Sequence, residues 1–142
     1  MMSTLNPYIN FKDQAREAIT FYASVFGGEP TISTFGDFGM SVDESEKDLV
    51  MHSQLETPAG FTIMAADTPS HMEYSPGSSI TVSLSGPHED EAELRGYWEK
   101  LVEGGQVPQP LEPAPWGDVF GMATDRFGTQ WLMNIAGAPR EG

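Results

Sequence analysis

Apolar and polar residues alternate along several short stretches of this chain, and two longer stretches repeat every three to four residues. Leu5 to Phe11 alternates, with Leu5, Pro7, Ile9 and Phe11 against Asn6, Tyr8 and Asn10, which predicts a half-buried strand. From Asp13, a good N-cap type, the stripe Ala15, Ala18, Ile19, Tyr22 and Phe26 predicts a helix that stops at Gly27. Thr31 to Phe35 reads as a second strand, and Gly36 to Lys47 as a loop in which Gly36 to Gly39 is expected to be a mobile flap over a cavity. Asp48 to Glu56 and Phe61 to Asp67 alternate again and are joined by the turn Pro58-Ala59-Gly60, a hairpin signal.

The order then starts over. Thr68 to Ser78, rich in proline and serine, reads as a link. Ser79 to Leu84 alternates. A helix follows Pro87, with acids in its first turn, where they suit the positive end of the helix dipole, and with Gly96 inside it. Gln106 to Leu111 is a proline-broken edge strand, and Trp116 to Thr124 and Thr129 to Ile135 close the series. The two helical segments share an aromatic pair, Phe21-Tyr22 and Tyr97-Trp98, then an apolar pair, then Gly-Gly. The chain therefore predicts an α+β fold of two βαβββ modules, residues 1–75 and 76–142, together forming one globular domain.

Composition narrows the function classes. A chain of 142 residues can bury a sizeable core without staples, and it has no cysteine, which removes disulfide and thiolate chemistry. Its net charge of -14 disfavours nucleic-acid backbones and anionic membrane surfaces. With no leader-like start and no long apolar run, a cytoplasmic protein is expected.

Strand parity sorts residues onto two faces. Leu5, Ile9, Phe11, Leu49, Met51, Leu55, Phe61, Ile63, Ile80, Val82, Leu84, Trp131, Met133 and Ile135 should pack under the helices. Asn6, Tyr8, Asn10, His52, Gln54, Glu56, Thr62, Met64, Ser79, Thr81, Ser83, Gln130, Leu132 and Asn134 fall on the other face. That second face is polar but nearly uncharged, which suits the wall of a small-molecule cavity better than a solvated surface.

The segments LNPYINF, AREAITFYASVFGG, VMHSQLE, MAAD and DRFGTQWLMN resemble the PhnB-like branch of the vicinal oxygen chelate superfamily, which includes glyoxalase I, bleomycin- and fosfomycin-resistance proteins and extradiol dioxygenases. The resemblance implies paired modules whose curled mixed sheets enclose a cavity, helices outside, and a homodimer. Metal-dependent members take His and Glu ligands from the first and last strand of each module. The matching places here are Asn6, Met64, Ser79 and Leu132, which cannot build an imidazole–carboxylate site, so no metal or other cofactor is expected. Relatives are often labelled demethylubiquinone methyltransferases, yet no glycine-rich strand–loop–helix opening is present for a methyl donor.

The expected ligand-binding residues are Asn6, Tyr8, His52, Gln54, Met64, Ser79, Thr81 and Leu132. His52, the one histidine in a predicted strand, is the candidate general base or hydrogen-bond partner. Glu56 lies roughly 13 Å along the same strand, too far to share an ion with His52. Trp131 reads as core, Trp116 as packing on its own hairpin, and Asp67 and Asp125 as makers of local turn hydrogen bonds. His71 and His88 carry no assignment. The expected function is metal-independent binding of a small molecule. An enzyme acting on a small oxygenated metabolite and a protein that sequesters an antibiotic are the alternatives.

Overall fold

A computed structural model describes residues 5–39, 44–70, 72–75, 77 and 79–137. His71, Pro76 and Ser78 lie outside the described residues, as do 40–43 of the expected loop. Contacts divide the chain into two units, Met1–Pro76 and Gly77–Gly142. The first runs β1 (Tyr8–Phe11), α1 (Ala15–Phe26), β2 (Thr31–Thr34), β3 (Val50–Glu56) and β4 (Thr62–Asp67). The second runs β5 (Val82–Gly86), α2 (Glu91–Leu101), β6 (Gln106–Pro113), β7 (Val119–Thr124) and β8 (Gln130–Ile135). The sheets are ordered β1-β4-β3-β2 and β5-β8-β7-β6. In each, the first strand pairs parallel to the last and the other pairings are antiparallel. These are two βαβββ modules of one topology. Even the bond that closes each parallel pair recurs: Thr68 N–H donates to Phe11 O at 2.7 Å, and Ala136 N–H to Gly86 O at 2.9 Å.

In the first unit α1 packs on β3 and β4, burying Ala15, Ala18, Ile19, Tyr22, Val25 and Phe26 on the side where Leu55, Ile63 and Ala65 are also buried. Ser53 is buried there too, its hydroxyl donating to Ala65 O at 2.6 Å, which removes the cost of an unpaired buried oxygen. In the second unit Leu94, Trp98 and Leu101 of α2 are buried, as are Leu84, Ala123, Trp131, Met133 and Ile135 of its strands. Trp131 is core as expected, and its Nε1 donates to Asp125 at 2.9 Å. Asp125 also accepts from Phe127 and Thr129 N–H, the expected local turn bonds.

The Gly-Gly stops have one physical cause in both units. A Cβ on Gly28 would come within 2.3 Å of Glu56 O, and a Cβ on Gly105 within 2.2 Å of Thr124 O. Each chain leaves its helix pressed against the carbonyl that ends the third strand, where only glycine fits. Gly27, with φ 86, turns the chain into that approach.

Three expectations are corrected. Leu5 and Ile80 are not core: they lie ahead of β1 and β5 and are exposed, Ile80 by 80%. Alternation in the sequence continues past the point where strand pairing ends. Asp13 does not cap α1; Gln14 holds the N-cap position without a side-chain bond. Asp67 is no local turn-maker: Ala15 N–H donates to its Oδ1 and Val50 N–H to its Oδ2, both at 2.9 Å, from 52 and 17 residues away. Within the expected loop, Gly36–Phe38 forms a 3-10 turn, braced where Thr34 N–H donates to Asp37 and Asp37 N–H to Thr34 Oγ1. Trp116 packs edge-on against Phe120 at 5.4 Å, as its hairpin position suggested.

These contacts give three expected outcomes. Asp67→Asn leaves one buried N–H without its acceptor and should lower unfolding free energy by about 2–3 kcal/mol in urea titration, the scale of hydrogen bonds to a charged group. A Cβ at Gly96 meets nothing within 4 Å. Gly96→Ala should therefore stabilise the protein by about 0.5–1 kcal/mol in the same titration. Asp118 is held below the usual carboxylate range, first by the Asn134 side-chain amide and then by Gly137 N–H. A lowered folded value contributes stability above the ordinary pKa and loses it as pH falls. Asp118→Asn should thus lower Tm at pH 7, with the gap closing below about pH 4.

Candidate functional site

Strand register places one row of side chains across the whole first sheet. Tyr8 pairs with Met64, Met64 with Gln54, and Gln54 with Thr31. Residues directly opposite in neighbouring strands share a face, so Tyr8, Met64, Gln54 and Thr31 stand side by side. His52 and Glu56 flank Gln54 on β3. This face points away from α1, since Ser53 and Leu55, the intervening residues, are buried.

The face depends on an irregularity in β3. Ser33 pairs with His52 but Thr34 with Val50, so Met51 is an extra residue in β3. Strict alternation would put Val50, His52 and Gln54 on one side. The bulge instead lets Val50 be buried while His52 and Gln54 face out. Asp67, accepting from Val50 N–H, fixes the backbone at that point.

Glu29, Thr31, His52, Gln54 and Glu56 line a cleft of about 340 Å³ within the first unit. The Gln54 side-chain amide donates to Glu56 Oε1 at 3.0 Å. The Tyr8 ring lies 5.8 Å from the His52 ring, tilted by 31°. Tyr8 is half-exposed, so its ring is open to a ligand on this face. His52 and Glu56 are thus partners in one cleft, although their spacing along β3 keeps them from sharing an ion. Glu29 and Thr31 were not singled out by sequence reasoning. Alternation identifies the face of a strand but not which neighbour is registered against it, and Glu29 belongs to no strand.

The remaining expected residues do not gather at this cleft. Asn6 is half-buried just ahead of β1. In the second unit the matching row is Ser83, Leu132, Met122 and Gln109. Leu132 is half-buried in it, and Thr81 Oγ1 donates to Gln130 Oε1 at 3.3 Å. Ser79 lies ahead of β5 and is exposed. A second groove of about 200 Å³, between α2 and β6, is lined by Arg95, Trp98, Glu99, Val107, Pro110 and Leu111. Arg95 is engaged there by Glu91 at 2.8 Å.

The donor set does not fit the metal that the resemblance implies. Asn6, Met64, Ser79 and Leu132 offer an amide, a thioether, a hydroxyl and a hydrocarbon, and a tight transition-metal site needs imidazole, carboxylate or thiolate. Among the described residues no three or more His, Asp or Glu side chains are grouped to hold an ion. No described helix is long and apolar enough to cross a membrane.

Comparison with known proteins places this architecture. Residues 3–134 match the family described as 3-demethylubiquinone-9 3-methyltransferase. The protein PA1353 of Pseudomonas aeruginosa is 33% identical, with a TM-score of 0.82 over 96% of this chain and 100% of its own. A PhnB protein from Bacillus cereus is 21% identical, with a TM-score of 0.72 over 94% of this chain and 100% of its own. A glyoxalase/bleomycin resistance protein/dioxygenase superfamily member from Sphaerobacter thermophilus shares the fold at 21% identity, with a TM-score of 0.58 over 95% of this chain and 98% of its own. With the βαβββ duplication and a family match along nearly its whole length, the chain belongs to the 3-demethylubiquinone-9 3-methyltransferase family, and it shares its fold with PhnB and glyoxalase/bleomycin resistance/dioxygenase proteins.

Proposed function

We propose that this protein binds a small organic molecule in the first unit's cleft, without help from a metal ion. The observation that carries the reading is the registered row Tyr8–Met64–Gln54–Thr31, flanked by His52 and Glu56 and bordering a concave space of small-molecule size. An aromatic ring and a thioether stand at one end of that row and hydrogen-bonding groups at the other. Such a wall can orient a partly apolar ligand through a few polar contacts. His52 is the most chemically versatile group in the cleft, able to donate from one ring nitrogen and accept at the other when neutral.

The family's descriptive name refers to methyl transfer, and we assign no methyl-donor site here. The β1–α1 connection is Lys12-Asp13-Gln14 and contains no glycine, so the backbone cradle of a glycine-rich strand–loop–helix turn is not formed. The metal-independent reading rests on the poor donor set, not on an empty site.

Screening a library of metabolite-sized fragments by NMR tests this. Binders should shift the resonances of Tyr8, His52, Gln54 and Met64. His52→Ala should weaken them about fivefold, equal to about 1 kcal/mol for one lost hydrogen bond, with the fold unchanged. Binders that all map to another surface, or affinities untouched by His52→Ala, would refute the reading. So would stoichiometric zinc, nickel or iron in protein purified without chelator, for its metal-independent half.

A further inference from the structure

The cleft has an acceptor-rich, acidic lining that a neutral ligand does not call for. Glu29 reaches it from the α1–β2 connection and Glu56 from the end of β3. None of the five lining residues is a lysine or arginine. Gln54 donates one amide N–H to Glu56 Oε1, which orients the amide and leaves its carbonyl oxygen and its second N–H for a ligand. Thr31 adds a hydroxyl oxygen, and Tyr8, outside the lining but with its ring 5.8 Å from that of His52, offers the negative face of an aromatic quadrupole at the border. The 21 acids of the chain against seven lysines and arginines add a field of the same sign.

The scaffold does not impose these two acids. In the second unit Gly105 repeats the approach that Gly28 makes, and the residues brought together there are Gln106 and Thr124, which are registered partners. Gln106 takes the place of Glu29 and Thr124 that of Glu56. One backbone arrangement is thus neutral in one unit and doubly acidic in the other, so the charge belongs to the first cleft and not to the fold.

We infer that the cleft recognises an organic cation, its positive charge drawn to the carboxylates of Glu29 and Glu56 in a space also lined by His52 and bordered by the Tyr8 ring. This rests on the proposal that the cleft binds small molecules, and it adds the charge of the ligand. An anion would bring a third negative charge to the two carboxylates, and a neutral ligand would leave their field unused.

The test compares cations with neutral molecules of the same shape on the full chain. Choline is set against 3,3-dimethyl-1-butanol, in which carbon replaces the charged nitrogen, and n-butylammonium against 1-butanol. Binding is read from the ring resonances of His52 and Tyr8. The cations should bind about tenfold or more tightly than their neutral counterparts, weaken when sodium chloride is raised, and weaken about threefold or more in each of Glu29→Gln and Glu56→Gln. Equal binding of cation and neutral probe, independent of salt and of both substitutions, would overturn the cation inference and leave small-molecule binding standing. No movement of either ring with choline or n-butylammonium at tens of millimolar would also overturn the cation inference, while small-molecule binding is decided by the fragment screen. If a glutamine variant unfolds, the cation-to-neutral ratio and its salt dependence in the unaltered protein decide the matter alone.

Discussion

Asp67 ties three things together that the rest of the first unit depends on. One carboxylate oxygen satisfies the N–H that opens α1, and the other accepts from Val50 at the irregular start of β3. Helix starts carry unsatisfied N–H groups, and the N-cap residue Gln14 offers no side-chain bond to them. The acid that serves instead comes from the end of β4, so helix, bulge and sheet are positioned by one buried side chain. The bulge in turn sets the direction of every later residue in β3. Val50 turns inward, and His52, Gln54 and Glu56 turn to the open face. The candidate site therefore rests on a hydrogen bond made on the opposite, buried side of the sheet.

The second unit reaches the same topology without that device. Ile135 stands where Asp67 stands and is buried as hydrocarbon. Its sheet end is held by Asp118, which accepts from Asn134 and Gly137. Packing has also been redistributed. Gly86 replaces Phe11 at the end of the first strand, and a Cβ there would meet Leu94 at 2.9 Å. On the helix, Leu94 takes the place that Ala18 holds when the aromatic pairs are aligned. A large strand residue and a small helix residue have become the reverse, so the volume lost at one position is regained at the other. Duplication has kept the path of the backbone and let the side chains that fill it exchange sizes.

Much of this was legible in the sequence because it is periodic or local. The stripes gave both helices, alternation gave most strands, and the paired Gly-Gly stops exposed the repeat. The polar character of the His52–Gln54 face also followed from alternation. What was hidden depends on partners distant in sequence. No local pattern shows that Asp67 meets Ala15 and Val50, or that a bulge at Met51 resets parity. Leu5 and Ile80 continue an alternation that pairing does not reach. Glu29 follows a helix stop and looks like solvated punctuation until the approach of Gly28 to Glu56 O is known.

That approach explains why the charges sit where they do. Gly28 and Gly105 are glycines because the backbone leaves no room for a Cβ, and the constraint is the same in both units. The next residue along has no such constraint. Its side chain arrives beside the end of the third strand and can be Glu29 beside Glu56 or Gln106 beside Thr124 at no cost to the path of the chain. The rows across the sheets differ in the same free way: Tyr8, Met64, Gln54 and Thr31 in one, Ser83, Leu132, Met122 and Gln109 in the other. Backbone constraint thus fixes where side chains are delivered, and the choice of side chain fixes the chemistry. Charge, imidazole and phenol gather in the first unit, while the centre of the second row is hydrocarbon and thioether.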